Sequence, residues 1–131
     1  MSERKLNILI ADDEPLMLNL LSGYLTRYGK HKVIKACDGK KALQLFNENK
    51  DNIDVTFLDI EMPHINGLKV LQAIHSIEPS AYVVIISGLG NLHNVKTAIS
   101  AGVNGFIVKP YTYEKVAEAL NNYLQAYCTE E

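Results

Sequence analysis

The sequence predicts a doubly wound α/β domain: a five-stranded parallel sheet with helices on both faces, (βα)5 in order. Three features carry that expectation. Strand-like and helix-like runs alternate five times along the chain. Several strand runs are almost unbroken apolar stretches, the signature of strands buried on both faces. The connections between runs are short, as crossover units require.

The elements follow in order. Leu6–Ala11 is the first strand-like run. Pro15–Tyr28 reads as a helix, with Pro at a first helical position, Asp13 standing where a cap would, and Leu16, Leu20, Leu21, Tyr24, Leu25 and Tyr28 recurring at three and four. Lys32–Ala36 is strand-like, and Lys40–Glu48 is a helix carrying Ala42, Leu43, Leu45 and Phe46. Val55–Leu58 is an apolar strand, followed by a helix over Leu68–Ser76 with Val70, Leu71 and Ile74. Ala81–Ile86 is the fourth strand, and Asn94–Ala101, closed by Gly102, the fourth helix. Gly105–Val108 is the last strand, and Tyr113–Tyr127, with Val116, Ala117, Leu120 and Leu124, the last helix.

The chain of 131 residues fits one domain, with a core over about 6–124. Its 15 acidic against 13 basic residues leave a net charge of -2, which marks neither a nucleic-acid binder nor a membrane-surface protein. No apolar run reaches the length of a membrane span, so a cytoplasmic protein without membrane insertion is expected. Cys37 and Cys128 have no metal-ligand spacing and no nucleophile's neighbourhood. His31, His64, His75 and His93 do not cluster, although His64 is placed where it can touch a partner.

In open parallel sheets, chemistry sits beyond the carboxyl ends of the strands. Here those ends carry Asp12, Asp13 and Glu14 after the first strand, Asp59 after the third, Ser87 after the fourth, and Lys109 with Pro110 after the fifth. Taken singly, each has a plain reading: an Asp after a strand is often a helix cap, and a loop Ser or Lys is usually solvated. Taken together they place three carboxylates, a hydroxyl and an ammonium on one rim. Clustered carboxylates repel and raise one another's pKa unless a cation intervenes. Mg²⁺ suits such oxygens, with Asp12, Asp13, Asp59 and the Glu61 backbone carbonyl as ligands and Mn²⁺ as an alternative ion. A phosphoryl group suits the remaining donors, Ser87 and Lys109, and a carboxylate can itself be the nucleophile.

These residues sit in a pattern that resembles the receiver domain of two-component response regulators, the fold of the bacterial chemotaxis regulator. The matching pieces are Ile8-Leu9-Ile10-Ala11-Asp12-Asp13-Glu14, Phe57-Leu58-Asp59-Ile60-Glu61-Met62-Pro63, Gly67, Val84-Ile85-Ile86-Ser87-Gly88, Ala101-Gly102 and Gly105-Phe106-Ile107-Val108-Lys109-Pro110. The resemblance implies the flavodoxin-like strand order 2-1-3-4-5. It makes Asp59 the phosphoacceptor, with Asp13 and Asp59 on Mg²⁺ directly, Asp12 mostly through water, and Glu61 through its main-chain oxygen. It pairs Lys109 with Asp59 or its phosphoryl group, and makes Ser87 and the aromatic Phe106 the switch pair. Pro110 holds the bend after Lys109, where family members often have a cis bond. The donor is the phosphohistidine of a sensor kinase or relay domain. Slow self-dephosphorylation resets the switch, so the protein reads as a regulator rather than a turnover enzyme. Output is expected through the fourth helix, fifth strand and fifth helix, by a phosphorylation-dependent homodimer, a downstream protein effector or an output domain outside this chain.

Several residues add to that pattern. Glu61, two beyond the acceptor, is either a solvated loop carboxylate or a charge at the mouth of the site that modulates water attack. Leu89, two beyond Ser87, is a second candidate gate. Arg27, Lys30, Lys32, Lys35, Lys40 and Lys41, with His31 beside them, form a basic face, either solvated or a partner contact. No recognition helix or aromatic platform accompanies it, so nucleic acid is not expected. Tyr111, Tyr113, Tyr123 and Tyr127 exceed what one helix face buries, which leaves some for an interface.

Three other functions compete. A phosphohydrolase of the haloacid-dehalogenase type also uses an aspartyl phosphate, but its nucleophile comes early in the chain. A docking module that never takes phosphate would usually lack Asp59 or Lys109. A flavin carrier needs a Ser/Thr/Gly-rich phosphate loop after the first strand, where Asp12 and Asp13 stand instead.

Overall fold

The computed structural model describes residues 5–63, 65–88 and 92–127. Leu89, His64 and Cys128 lie outside the described residues, as does the side chain of His93. The elements are β1 (Asn7–Ala11), α1 (Pro15–Tyr28), β2 (Lys32–Ala36), α2 (Gly39–Asn49), β3 (Val55–Asp59), α3 (Gly67–Ile77), β4 (Val83–Ser87), α4 (Leu92–Ser100), β5 (Gly105–Val108) and α5 (Tyr113–Tyr127). The sheet is parallel, in the order β2-β1-β3-β4-β5. This is the predicted class and strand order. Among the described residues, no helix is long and apolar enough to cross a membrane.

The alternation of side chains along each strand separates two cores. Ile8, Ile10, Phe57, Val84 and Ile86 face α1 and α5, packing on Leu18, Leu21, Leu25, Val116 and Leu120. Leu9, Ala11, Leu58, Val83 and Ile85 face the other side, packing on Ala42, Phe46, Val70, Leu71, Ile74 and Ala98. The central strands β3 and β4 are buried along their whole length. The edge strands β2 and β5 are only partly covered.

Side chains cap several helix starts among the described residues, including the Thr112 hydroxyl oxygen, which accepts the Lys115 N–H at 3.4 Å at the start of α5. Asp38 accepts the Lys41 N–H at 2.7 Å to begin α2, and Asn66 accepts the Lys69 N–H at 3.1 Å to begin α3. Helix α1 corrects the expected cap. Its N-cap is Glu14, which makes no side-chain cap bond, and Asp13 is left exposed. Asp12 instead accepts the Glu14 N–H at 2.9 Å on Oδ1, so the turn into α1 is closed from one residue earlier.

The tyrosines divide between core and surface, with Tyr127 exposed. Tyr111 and Tyr123 are buried. Tyr24 meets Tyr111 and Tyr113 edge to face, with Arg27 over the Tyr113 ring at 4.1 Å. Tyr82, Tyr123 and Tyr127 form a second aromatic group. Cys37 is exposed just after β2. His31 does not add charge to the basic face. Its Nδ1 accepts the Leu6 N–H at 3.0 Å, and burial lowers its pKa from 6.5 despite the charge of Asp54.

Candidate functional site

Pairing that runs past the strand ends sets the functional residues side by side. Ala11 is level with Leu58, Asp59 with Ile86, and Ser87 with Val108. Beyond these, Asp12 N–H donates to the Ala36 carbonyl, Ile60 N–H to Ile86, and Lys109 N–H to Ser87. Asp12, Asp59, Ser87 and Lys109 therefore step across one edge of the sheet, at the place where the strand order reverses between β1 and β3. Both Asp59 and Ser87 are the last residues of their strands rather than loop residues, which holds them more firmly than their sequence positions alone imply.

Asp12, Asp13 and Asp59 bring carboxylate oxygens within 4.8 Å of one another. Asp12 and Asp59 are buried, whereas Asp13 is exposed. Lys109 Nζ donates to Asp59 Oδ2 at 2.9 Å and lies 3.8 Å from Asp12 Oδ2. The other Asp59 oxygen accepts the Glu61 N–H at 3.1 Å. Lys109 enters from the β5 loop, where the Lys109–Pro110 bond is cis.

The electrostatics follow from burial. Asp59 is pushed up to about 7, first by burial and further by the charge of Asp12, with Lys109 pulling against both. Burial also raises Asp12, opposed by the Glu14 N–H and by Lys109. Burial alone would lower Lys109, but its bond to Asp59 and the charges of Asp59, Asp12 and Glu14 leave it raised. One ammonium thus does not offset the carboxylates facing it. This donor set fits a hard divalent cation: clustered oxygens, partly open through Asp13, with excess negative charge.

Ser87 is fully buried, and its hydroxyl donates to Glu61 Oε2 at 2.8 Å. Glu61 Oε1 accepts the Gly88 N–H at 3.2 Å. The solvated reading of Glu61 is therefore corrected. Its residue is exposed, but its carboxylate is anchored on the end of β4. Phe106, half-buried on β5, packs against the α4 side of the sheet.

Two further residues bear on the site in ways their sequence positions did not indicate. Tyr111 has a buried hydroxyl with no partner among the described residues, and burial with the charges of Asp12 and Asp59 raises its pKa. Gly67 begins α3 directly against the acceptor strand, its N–H donating to the Ile60 carbonyl at 3.0 Å. A Cβ there would collide with the Asp59 carbonyl oxygen and come 2.8 Å from the Ile60 Cα.

Comparison with known proteins places the chain. The family model for the response regulator receiver domain matches residues 8–121. The chain belongs to the receiver domain family. It is 36% identical over 114 residues to the chemotaxis protein CheY of Thermotoga maritima, covering 87% of this chain and 93% of that one. Among solved structures, a receiver domain protein from Clostridium thermocellum superimposes with a TM-score of 0.88 at 32% identity, over 92% of this chain and 95% of that one. The CheX–CheY–BeF3–Mg complex from Borrelia burgdorferi contains a chain that matches with a TM-score of 0.85 at 32% identity, over 95% of this chain and 90% of that one. The protein is thus a phosphoacceptor signalling module of the two-component type, whose partners bear a histidine kinase or phosphotransfer function.

Proposed function

We propose that Asp59 accepts a phosphoryl group from a phosphohistidine in a Mg²⁺-dependent reaction, and that the acyl phosphate shifts the protein between two surface states. The observation that carries this reading is the Lys109 ammonium 2.9 Å from Asp59 Oδ2, inside a carboxylate cluster with Asp12 and Asp13. Asp13 and Asp59 would hold the ion directly, Asp12 through water, and Glu61 through its backbone carbonyl. When bound, Mg²⁺ supplies the positive charge that lets an anionic phosphoryl group approach an acidic corner. The solved CheX–CheY–BeF3–Mg complex of Borrelia burgdorferi supports that assignment.

The chain's own residues do the rest. An Asp59 oxygen forms a bond to phosphorus as the P–N bond to the donor imidazole breaks, and the electron pair leaves with that imidazole. Lys109 holds Asp59 in place beforehand and neutralises phosphoryl oxygens afterwards. The Ser87 hydroxyl donates to another phosphoryl oxygen, and the half-buried Phe106 repacks as Ser87 moves. Water later attacks the phosphorus, the P–O bond to Asp59 breaks, and inorganic phosphate leaves, which restores the free carboxylate. Output runs through the α4–β5–α5 face, to a protein effector or by pairing of two copies, in the cytoplasm.

The test is incubation with acetyl phosphate and Mg²⁺ followed by intact-mass measurement. The expected result is a gain of one phosphoryl group, absent in Asp59→Ala and after chelation. An unmodified parent, or a gain that survives Asp59→Ala, refutes the proposal. Sedimentation with and without beryllofluoride tests the pairing of copies, and an unchanged mass at high concentration removes it.

A further inference from the structure

Two of the hydrogen-bond donors beside Asp59 are already engaged by the protein itself. Glu61 leaves β3 two residues after the acceptor, and its carboxylate reaches across to the end of β4. One oxygen takes the Ser87 hydroxyl at 2.8 Å and the other the Gly88 N–H at 3.2 Å. The result is an anionic group with two oxygens, each held by a separate donor on adjacent residues. A phosphoryl group on Asp59 presents the same features: delocalised negative charge and several oxygens seeking donors. Ser87 is fully buried at the strand end, so its hydroxyl has few other places to point.

We propose that Glu61 acts as an internal stand-in for the phosphoryl group, sequestering Ser87 and Gly88 in the resting protein. This inference rests on the reading of Asp59 as phosphoacceptor. The Glu61 carboxylate and the incoming group compete for the same donors, so Ser87 turns to phosphate only as Glu61 lets go. The exposed position of Glu61 gives the released carboxylate water to move into. Glu61 is then a positioning residue: it acts through Ser87, holding the unphosphorylated arrangement. The latch differs from plain repulsion between Glu61 and an anionic ligand, because repulsion needs no Ser87 hydroxyl.

The two ideas separate in a double-mutant cycle. Beryllofluoride affinity with Mg²⁺ is measured for the parent, Glu61→Ala, Ser87→Ala and the double variant, with Glu61→Gln as a conservative control. The latch predicts that Glu61→Ala tightens binding about three- to tenfold, the scale of a partly exposed hydrogen bond to a charged acceptor. It predicts a distinctly smaller gain when the same change is made in the Ser87→Ala background, where only the Gly88 N–H remains to be released, and an intermediate gain for Glu61→Gln. An equal gain in both backgrounds overturns the latch in favour of simple repulsion, and no gain in either overturns it as well. A second readout needs no metal or phosphoryl group. In the metal-free protein, the Gly88 amide proton should shift upfield in Glu61→Ala as it loses a charged acceptor, and an unmoved resonance overturns the contact. Acetyl phosphate labelling of the parent keeps the two failures apart. A parent that takes no phosphoryl group at Asp59 refutes the functional reading, whereas a labelled parent with equal gains refutes only the role of Glu61.

Discussion

Replacing Asp59 by Asn should make the metal-free protein more stable at alkaline pH, even though it removes a residue bonded to Lys109. Asp59 titrates at about 7 in the folded protein against an ordinary 3.8. A carboxylate with a raised pKa holds its proton longer in the folded state than in the unfolded one. Its contribution to stability is therefore complete below 3.8 and is lost as the pH climbs through the window to about 7. That interval of about three pH units, at ~1.4 kcal/mol each, sets a ceiling of ~4 kcal/mol on the penalty at pH 8. At pH 4.5 the same linkage leaves only ~1 kcal/mol. Asn carries no charge at either pH, so Asp59→Asn escapes the penalty but forfeits the ion pair with Lys109. Because Lys109 stays near Asp12, at 3.8 Å, that loss is partial and present at both pH values. The expected net gain is ~2 kcal/mol at pH 8, shrinking to nothing or reversing at pH 4.5. Urea denaturation in EDTA measures it, and the pH response of His31 cancels because both proteins contain it. Saturating Mg²⁺ should then narrow the gap at pH 8, since a ligand that binds only the folded parent stabilises it by mass action. A variant no more stable than the parent at pH 8, or a gain independent of pH, would refute the electrostatic reasoning.

Gly67→Ala should cost ~1–3 kcal/mol in denaturant melts, because the added methyl displaces the backbone of Asp59 and Ile60. It should also slow acetyl phosphate labelling, and a neutral effect on both would show that α3 can shift freely. Lys109→Met removes the ammonium that pulls the Asp59 pKa down, so carbon-13 titration of the Asp59 carboxyl should show a value above that of the parent, with labelling slowed by about tenfold or more. A lower value in the variant would contradict the ion pair. The His31 imidazole should titrate below 6.5 by NMR. Its depressed value means that stability present above 6.5 is lost as the pH falls through the folded pKa, and His31→Gln should lack that slope.

The alternation of apolar strands and amphipathic helices is a local property, so the order of elements and the class of sheet were legible from residue types alone. The rim residues were legible for a related reason. Asp12, Asp59, Ser87 and Lys109 each follow an apolar run, and parallel pairing carries all strand ends to one edge. Boundaries were less legible. Ser87 and Asp59 end strands rather than begin loops because neighbouring backbone extends the ladder past them, which depends on partners distant in the chain.

What the sequence determined by itself was the inventory of charges and the edge they share, since these depend on periodicity and on the fixed direction of parallel strands. What only the tertiary structure decided was how those charges meet. Helix α1 takes its first turn from Asp12 and frees Asp13, an assignment that rests on loop geometry and not on residue type. The raised pKa of Asp59 requires burial, which no single residue encodes. The bond from Ser87 to Glu61 joins positions 26 residues apart, and the close seat of Gly67 against the Asp59 and Ile60 backbone is likewise a contact between chain segments. Side-chain chemistry is local, whereas desolvation and contact are collective, and the behaviour of this site lies in the second.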